Sequence, residues 1–400
     1  MFIDRSISRR PRVALYSHDT LGFGHLRRNL LLARRLRDLP QAPDVLLIAG
    51  MREAGAFDLP EGVDLLSLPG YAKDCGGTYA ARHLGLSLSE LASLRSQTIR
   101  SALLGYKPDL VVVDNVPLGA QGELEPALQA LRAAGETRIV LGLRDVIDDR
   151  RKVRSQWIRA RNFETLREHY DQVWIYGDPG FYDPVAEYGL GEAIAAKTRY
   201  TGYLRRDVPA TSGVTDAGRA SDEAPLVLCT VGGGRDGVAL AEAFARAALP
   251  DGMQGLLVTG TQMDAAAQDR IADLAARNPA ITVVPFMKDL VSVMSGAERV
   301  IAMGGYNTIC EILSLRRPAL IVPRTAPRRE QAIRAERLAA VGALDMLLPD
   351  DLTPRALTDW LAGPACAGTG DLRFDLNGLD RFAAFASEAL RLAEIAVQAA

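Results

Sequence analysis

Cysteine and histidine are scarce in this 400-residue chain, with four of each. Cys75, Cys229, Cys310 and Cys366 stand far apart and form no CxxC or CxxH spacing. That argues against a disulfide framework and a structural zinc site, and it fits a reducing compartment. Long hydrophobic runs are missing too, since no apolar stretch approaches the roughly 18–20 residues of a membrane span. Arg5, Arg9, Arg10 and Arg12 lead into a polar-broken strand rather than the apolar core of a secretion signal. A cytoplasmic protein is expected. Nor is there an excess of one charge: 47 Lys+Arg less 49 Asp+Glu leaves −2, which argues against a chain devoted to coating nucleic acid.

Hydrophobic residues at 48% and charged residues at 24% make an ordinary globular mixture, and the length suggests two domains. Short apolar runs alternate with longer helical patterns. In the first half the runs are Val13–Tyr16, Val45–Ile48, Asp64–Leu68, Asp109–Val113, Arg138–Leu141 and Val173–Ile175. Continuous rather than alternating hydrophobicity predicts strands buried on both faces, as in a parallel sheet covered by helices. Leu26, Leu30, Ala33 and Leu36 fall at helical spacing with arginines between them, an amphipathic helix opening the first βα unit. Residues 207–225, rich in small and polar residues, Gly and Pro, predict a linker. The alternation then restarts at Leu226–Val231, Gly255–Thr259, Ile281–Val284, Arg299–Ala302 and Ala319–Val322, and a helical pattern from about Leu379 to Val397 closes the chain. The predicted fold is α/β: two Rossmann-like doubly wound domains, 1–207 and 225–375, a linker at 208–224, and a final helix at 376–400 packing back across the hinge.

Candidate chemistry falls on the turns that follow strands, where ligands of such sheets bind. The first turn, from Ser17 to His25, carries His18, Gly22, Gly24 and His25. Its glycines permit close backbone approach or positive φ, and its histidine at a strand–turn–helix junction is a candidate base, or else a packed imidazole. Asp114 closes another strand and could stand behind His25, fixing its tautomer; the alternative is a turn-capping role before Asn115. In the second half Gly232, Gly233 and Gly234 follow one strand, while Gly304, Gly305, Asn307 and Thr308 follow another. Two such turns could cradle a diphosphate with backbone N–H groups, although neither has the GxxxxGK[ST] spacing, and tight turns alone are the plain alternative. Glu311, one helical turn past Thr308, could bind ribose hydroxyls or cap the helix. Arg324, Glu330 and Gln331 could read a sugar, or could be surface residues. The arginine-rich segment Arg144–Arg161 suggests a solvated helix face, or a surface that meets a phosphorylated or lipid-linked substrate at an anionic membrane.

The second half resembles the C-terminal domain of a glycosyltransferase family (family 28 C-terminal-like). That family includes the bacterial lipid-linked N-acetylglucosamine transferase of peptidoglycan synthesis. The likeness runs from about Leu226 to Leu348 through VVPFMKDLVSVMSGAERVI, GGYNTICEIL, PALIVPR and EQAIRAERL, while SHDTLGFGHLRRNLLLARRL resembles the family's N-terminal glycine–histidine turn more loosely. The chain is similar overall to uncharacterised bacterial proteins predicted to be glycosyltransferases.

The resemblance implies a GT-B architecture of two domains facing a cleft, with the donor nucleotide in the C-terminal one. It implies Glu311 at the ribose, Asn307 and Thr308 at the phosphates, Gln331 at the donor sugar, Phe286 and Met287 at the uracil, and His25 as catalytic base. The family usually carries a denser glycine run before that histidine. The expected activity is transfer of a hexose, such as N-acetylglucosamine, from a UDP-sugar to an acceptor hydroxyl, with no metal or other cofactor, since no DxD motif is placed for one. The acceptor, a sugar, lipid-linked group or small molecule, stays open. The alternatives are a nucleotide-sugar 2-epimerase, for which only Asp114 and Glu330 are candidate carboxylates, and a non-catalytic nucleotide-sugar-binding partner protein.

Overall fold

The computed structural model describes residues 9–18, 24–73, 78–206, 224–364 and 373–399, with the side chains of 73 and 394–399 left aside. The expected linker at 208–224 lies outside the described residues but for its last one. The chain divides into two compact units. The first holds the chain up to Asp145, Arg150–Gly202 and everything from Asn377 onward, and the second holds Val146–Asp149 and Tyr203–Leu376.

In the first unit the strands are β1 (Arg12–Ser17), β2 (Asp44–Ala49), β3 (Val63–Ser67), β4 (Tyr71–Lys73), β5 (Tyr79–Ala81), β6 (Leu110–Asp114), β7 (Arg138–Arg144), β8 (Gln172–Tyr176) and β9 (Thr198–Tyr200). Seven of them form one sheet in the order β3-β2-β1-β6-β7-β8-β9, every pairing parallel. The antiparallel pair β4–β5, and the short β9, have too few apolar residues to announce themselves in sequence. Helices α1 (Gly24–Arg37), α2 (Leu88–Tyr106), α3 (Glu125–Ala134), α4 (Arg150–Arg159), α5 (Asn162–His169), α6 (Pro184–Tyr188) and α7 (Glu192–Ala195) connect these strands. All five residues of β6 are buried, as its unbroken apolar run requires. The strand order reverses direction between β1 and β6, which makes the carboxyl ends of those two strands the switch point of the sheet.

The second unit repeats the plan. Its strands β10 (Leu226–Thr230), β11 (Gln254–Val258), β12 (Ile281–Val284), β13 (Arg299–Ala302), β14 (Ala319–Ile321) and β15 (Asp345–Met346) form a parallel sheet in the order β12-β11-β10-β13-β14-β15. Its helices are α8 (Val238–Ala245), α9 (Ala265–Ala275), α10 (Leu290–Gly296), α11 (Tyr306–Leu315), α12 (Glu330–Ala340) and α13 (Pro354–Ala362). Here the switch point lies between β10 and β13, and Val227, Cys229, Phe244, Ile271 and Ile301 form part of the core beneath it.

The boundary between units falls at Gly202, earlier than the linker. The backbone N–H of Tyr203 donates to the Asp375 carbonyl at 2.7 Å, and that of Leu204 donates to the Tyr306 hydroxyl at 3.4 Å. Both bonds tie the segment after β9 to the second unit. Val146–Asp149 joins it through Arg334, which donates to the Val146 carbonyl, and through the Arg329 N–H, which donates to Asp148 Oδ1 at 2.8 Å. The last helix, α14 (Gly378–Ala399), belongs to the first unit. Its Phe382 ring meets Trp174 edge-on at 5.5 Å, and its Asp380 pairs with Arg35 of α1 at 2.8 Å.

Candidate functional site

Two clusters lie at the two switch points, one in each unit. In the first unit β1 and β6 run parallel and side by side, so His18 just past β1, His25 at the start of α1 and Asp114 at the end of β6 share one sheet edge. His25 Nδ1 lies 2.5 Å from Asp114 Oδ2. The pairing suggested by the sequence is therefore present, across 89 residues of chain.

A third member was hidden in sequence among the arginines of α1. Arg28, three residues past His25 and so on the same helical face, turns inward. Its Nε donates to Asp114 Oδ1 at 3.1 Å, and its Nη2 donates to Oδ1 at 2.7 Å and Oδ2 at 2.6 Å. Both side chains are only 2% exposed. Burial works to raise the proton affinity of Asp114, but the Arg28 charge and then His25 outweigh it and hold the carboxyl well below the usual carboxylate range. Asp114 is thus a fixed anion that can only accept hydrogen bonds. In a neutral ring it favours the tautomer with hydrogen on Nδ1 and the lone pair on Nε2.

Two rings border this triad. The His18 ring is 5.0 Å from that of His25, tilted by 51°. Tyr176, at the end of β8, lies with its ring 5.9 Å from the Arg28 guanidinium carbon. Gly142 of β7 makes room for it, since a Cβ there would overlap the Tyr176 hydroxyl. Gly22 lies outside the described residues. Gly24, the first residue of α1, has no positive φ, and a Cβ there would meet nothing within 4 Å among the described residues.

In the second unit the two glycine turns differ from each other. Gly232 and Gly234 have φ of +68° and +95°. A Cβ on Gly234 would overlap the Thr259 carbonyl oxygen, and one on Gly260 would overlap the backbone of Gly233. The turns after β10 and β11 therefore lie backbone against backbone, with the Gln262 N–H donating to the Gly233 carbonyl at 2.9 Å. Packing alone explains Gly234.

The turn after β13 is built differently. Gly304 fits against Gln331 of α12, while Gly305 is the N-cap of α11, offers no side-chain cap, and has no described residue within 4 Å of where a Cβ would stand. Tyr306 is buried and anchors this helix start, with the Arg334 guanidinium 5.7 Å from its ring. Asn307 and Thr308 follow in the first turn and are half-buried. Glu311 is buried in the second turn. With the cap at Gly305, Glu311 is too far along to be the glutamate of a capping box, so that alternative is set aside. A helix start of this kind carries partial positive charge toward an anion.

Phe286 follows β12 as a ring 58% exposed, beside the half-buried Met287. Arg324, Glu330 and Gln331 hold one another rather than standing open. Arg324 pairs with Glu330 at 2.6 Å and with Asp236 at 2.7 Å, and its backbone N–H donates to Gln331 Oε1 at 3.0 Å. They form a lock between the loop after β14, helix α12 and the loop after β10. Among the described residues no three His, Cys, Asp or Glu side chains come together as a metal site.

Comparison with known proteins places these features. Residues 227–362 match the model of the glycosyltransferase family 28 C-terminal domain. The chain is 31% identical over 180 residues to the UDP-N-acetylglucosamine--N-acetylmuramyl-(pentapeptide) pyrophosphoryl-undecaprenol N-acetylglucosamine transferase of Methylobacterium nodulans, covering 44% of this chain and 48% of that one. The chain thus spans about half the length of the curated relatives it matches. Among solved structures it superposes on glycosyltransferase VinC in complex with dTDP, at a TM-score of 0.61 and 18% identity over 96% of this chain and 99% of that one. It also superposes on a putative UDP-N-acetylglucosamine 2-epimerase from Listeria monocytogenes, at a TM-score of 0.57 and 13% identity over 96% and 98%. Two doubly wound parallel units with these neighbours are the GT-B fold. Within it, residues 227–362 are similar to the glycosyltransferase family 28 C-terminal domain.

Proposed function

We propose that the protein is a glycosyltransferase that moves a hexose from a UDP-sugar to an acceptor hydroxyl. The observation that carries this reading is the family 28 match over the segment holding the open N-cap of α11 and buried Glu311. In this mechanism the start of α11, with the Thr308 hydroxyl, meets the diphosphate, Glu311 accepts hydrogen bonds from the ribose hydroxyls, and Phe286 stacks on the base. The helix start stabilises the diphosphate as the bond to the anomeric carbon breaks, so no resident metal is required. His25 Nε2 takes the proton of the attacking hydroxyl.

N-acetylglucosamine is the donor sugar that the curated relatives' names favour, and a lipid-linked acceptor follows from the same names. The basic helix α4, with Arg150, Arg151, Lys152, Arg154 and Arg159 around exposed Ile158, would suit peripheral contact with an anionic membrane at its cytoplasmic face. No helix among the described residues is long and apolar enough to cross one.

The fold by itself accommodates an epimerase equally well. However, the two carboxylates that an epimerase would need are each committed to a guanidinium, Asp114 to Arg28 and Glu330 to Arg324. A carboxylate pinned as an anion is a poor proton donor, and this favours the transferase. A nucleotide-sugar-binding partner protein would have no use for the oriented His25.

Calorimetry with UDP and with NAD tests the donor site. UDP is expected to bind and NAD not to, and Glu311→Ala is expected to weaken UDP at least about tenfold, because two charge-assisted hydrogen bonds would be lost and about 1.4 kcal/mol is one decade. Tight NAD binding without UDP binding sinks the reading.

A further inference from the structure

The His25–Asp114 pair alone would make a poor recycling base. A buried carboxylate 2.5 Å from an imidazole favours the imidazolium, so a proton once accepted would stay. The structure contains a counterweight. Arg28 engages both oxygens of Asp114 with its Nη2, and the same nitrogen lies 3.0 Å from His25 Nδ1. When Nδ1 carries hydrogen, that contact is donor against donor and cannot be a hydrogen bond. It becomes cation against cation once the ring is protonated. The charges are +1 on Arg28, −1 on Asp114 and 0 on the ring, and the triad becomes a net cation only while the ring holds the acceptor's proton.

We propose that Arg28 is a positioning residue that sets the charge state of the base. It fixes Asp114 as an anion that orients Nδ1–H, and it opposes the imidazolium so that His25 is neutral between turnovers. This rests on the reading of His25 as the base. In the step it serves, the acceptor oxygen gives its proton to Nε2 and forms a bond to the anomeric carbon. The bond from that carbon to the diphosphate oxygen breaks, and its electron pair leaves with the diphosphate. The repelled proton then passes to water, which readies the ring for another acceptor. Among the described residues the groups around His25 are Asp114 from β6, Arg28 from α1, His18 past β1 and the Tyr176 phenol from β8, which burial keeps neutral.

The test is NMR titration of the histidine rings in the full-length protein, as wild type, R28Q and R28K, with H25Q and H18Q spectra to assign the signals. R28Q keeps a hydrogen-bond donor to Asp114 but removes the charge. Its His25 midpoint is expected to rise by about one pH unit or more, as for loss of a cation a few ångströms away. R28K restores the charge, and its midpoint is expected to return most of the way to that of wild type. An unchanged or lowered midpoint in R28Q overturns the proposal, and so does a lysine midpoint as high as that of glutamine. If R28Q does not fold, R28K set against wild type decides: charge control predicts matching midpoints, and a lysine midpoint a unit higher refutes it. UDP calorimetry on the same samples keeps the two readings apart. Lost UDP binding in wild type refutes the transferase, whereas retained UDP binding with an unmoved midpoint refutes only the role of Arg28.

Discussion

The two units share a plan and differ in where they keep their chemistry. At the β1/β6 switch point it sits on side chains: a part-buried imidazole held against a buried carboxylate and guanidinium. At the β10/β13 switch point it sits on backbone: a glycine N-cap and the start of a helix, with one buried glutamate behind them. Moving a proton needs a group whose affinity for it is tuned by neighbours, and only side chains can be tuned in that way. Holding a diphosphate needs several donors at fixed spacing, which a helix start supplies without titrating. The same Rossmann-like plan can serve either task because its switch point leaves room for both.

Breaking the side-chain end should have the largest effect. His25→Ala is expected to lower turnover by roughly 10²–10⁴ while UDP affinity stays within error, because the proposed base and the proposed nucleotide site sit on different units. Equal turnover in mutant and wild type, with chemistry rate-limiting, removes His25 from the mechanism.

Asp114→Asn should come next, and its readout is stability. The change strands the buried Arg28 charge, which typically costs about 3–5 kcal/mol, so the melting temperature at neutral pH falls by several degrees. There is a pH arm as well. The Asp114 carboxyl titrates lower in the folded chain than in the unfolded one, so its stabilisation is complete above about pH 4 and fades as pH falls toward the folded value. Wild type should therefore lose stability more steeply than the asparagine variant below about pH 4. Parallel melting curves across that range would refute the ion pair.

The smallest effects sharpen the contrast between the two glycine turns. Gly234→Ala places a Cβ into the Thr259 carbonyl at a φ of +95°, a strain of about 1–3 kcal/mol. Its melting temperature should drop by about 2–4 °C per kcal/mol. Gly305→Ala meets no described residue within 4 Å at ordinary φ and should leave the melting temperature unchanged, yet it should weaken UDP because the new methyl crowds the proposed anion site. If the two alanines behave alike in both assays, the division of the turns into packing and binding is wrong.

Much of this was written locally. Unbroken runs such as Leu110–Asp114 predict buried parallel strands, and Leu26, Leu30, Ala33 and Leu36 predict the inner face of α1, because pleat and helix repeat within a few residues. The glycine–histidine turn and GGYNTICEIL are likewise short motifs whose spacing carries their meaning. Short elements such as β4, β5 and β15 escape that logic, being two or three residues long.

The sequence by itself determined two doubly wound units, the likeness of the second to the family 28 C-terminal domain, and turns whose residue types could bind a ligand or take a proton. Only the tertiary structure decided which residues act together. His25 and Asp114 meet because β1 and β6 are neighbours, 89 positions apart in sequence. Arg28 is indistinguishable from the solvent-facing arginines of α1 until the sheet places a carboxylate beneath it. Gly234, Arg324 and Gln331 have the chemistry of ligand-binding residues, yet they are occupied by the chain itself. The physical reason is range. Periodicity and turn preference act over a few residues, whereas burial, ion pairing and steric contact are fixed only when distant segments pack, and these set the charge on Asp114.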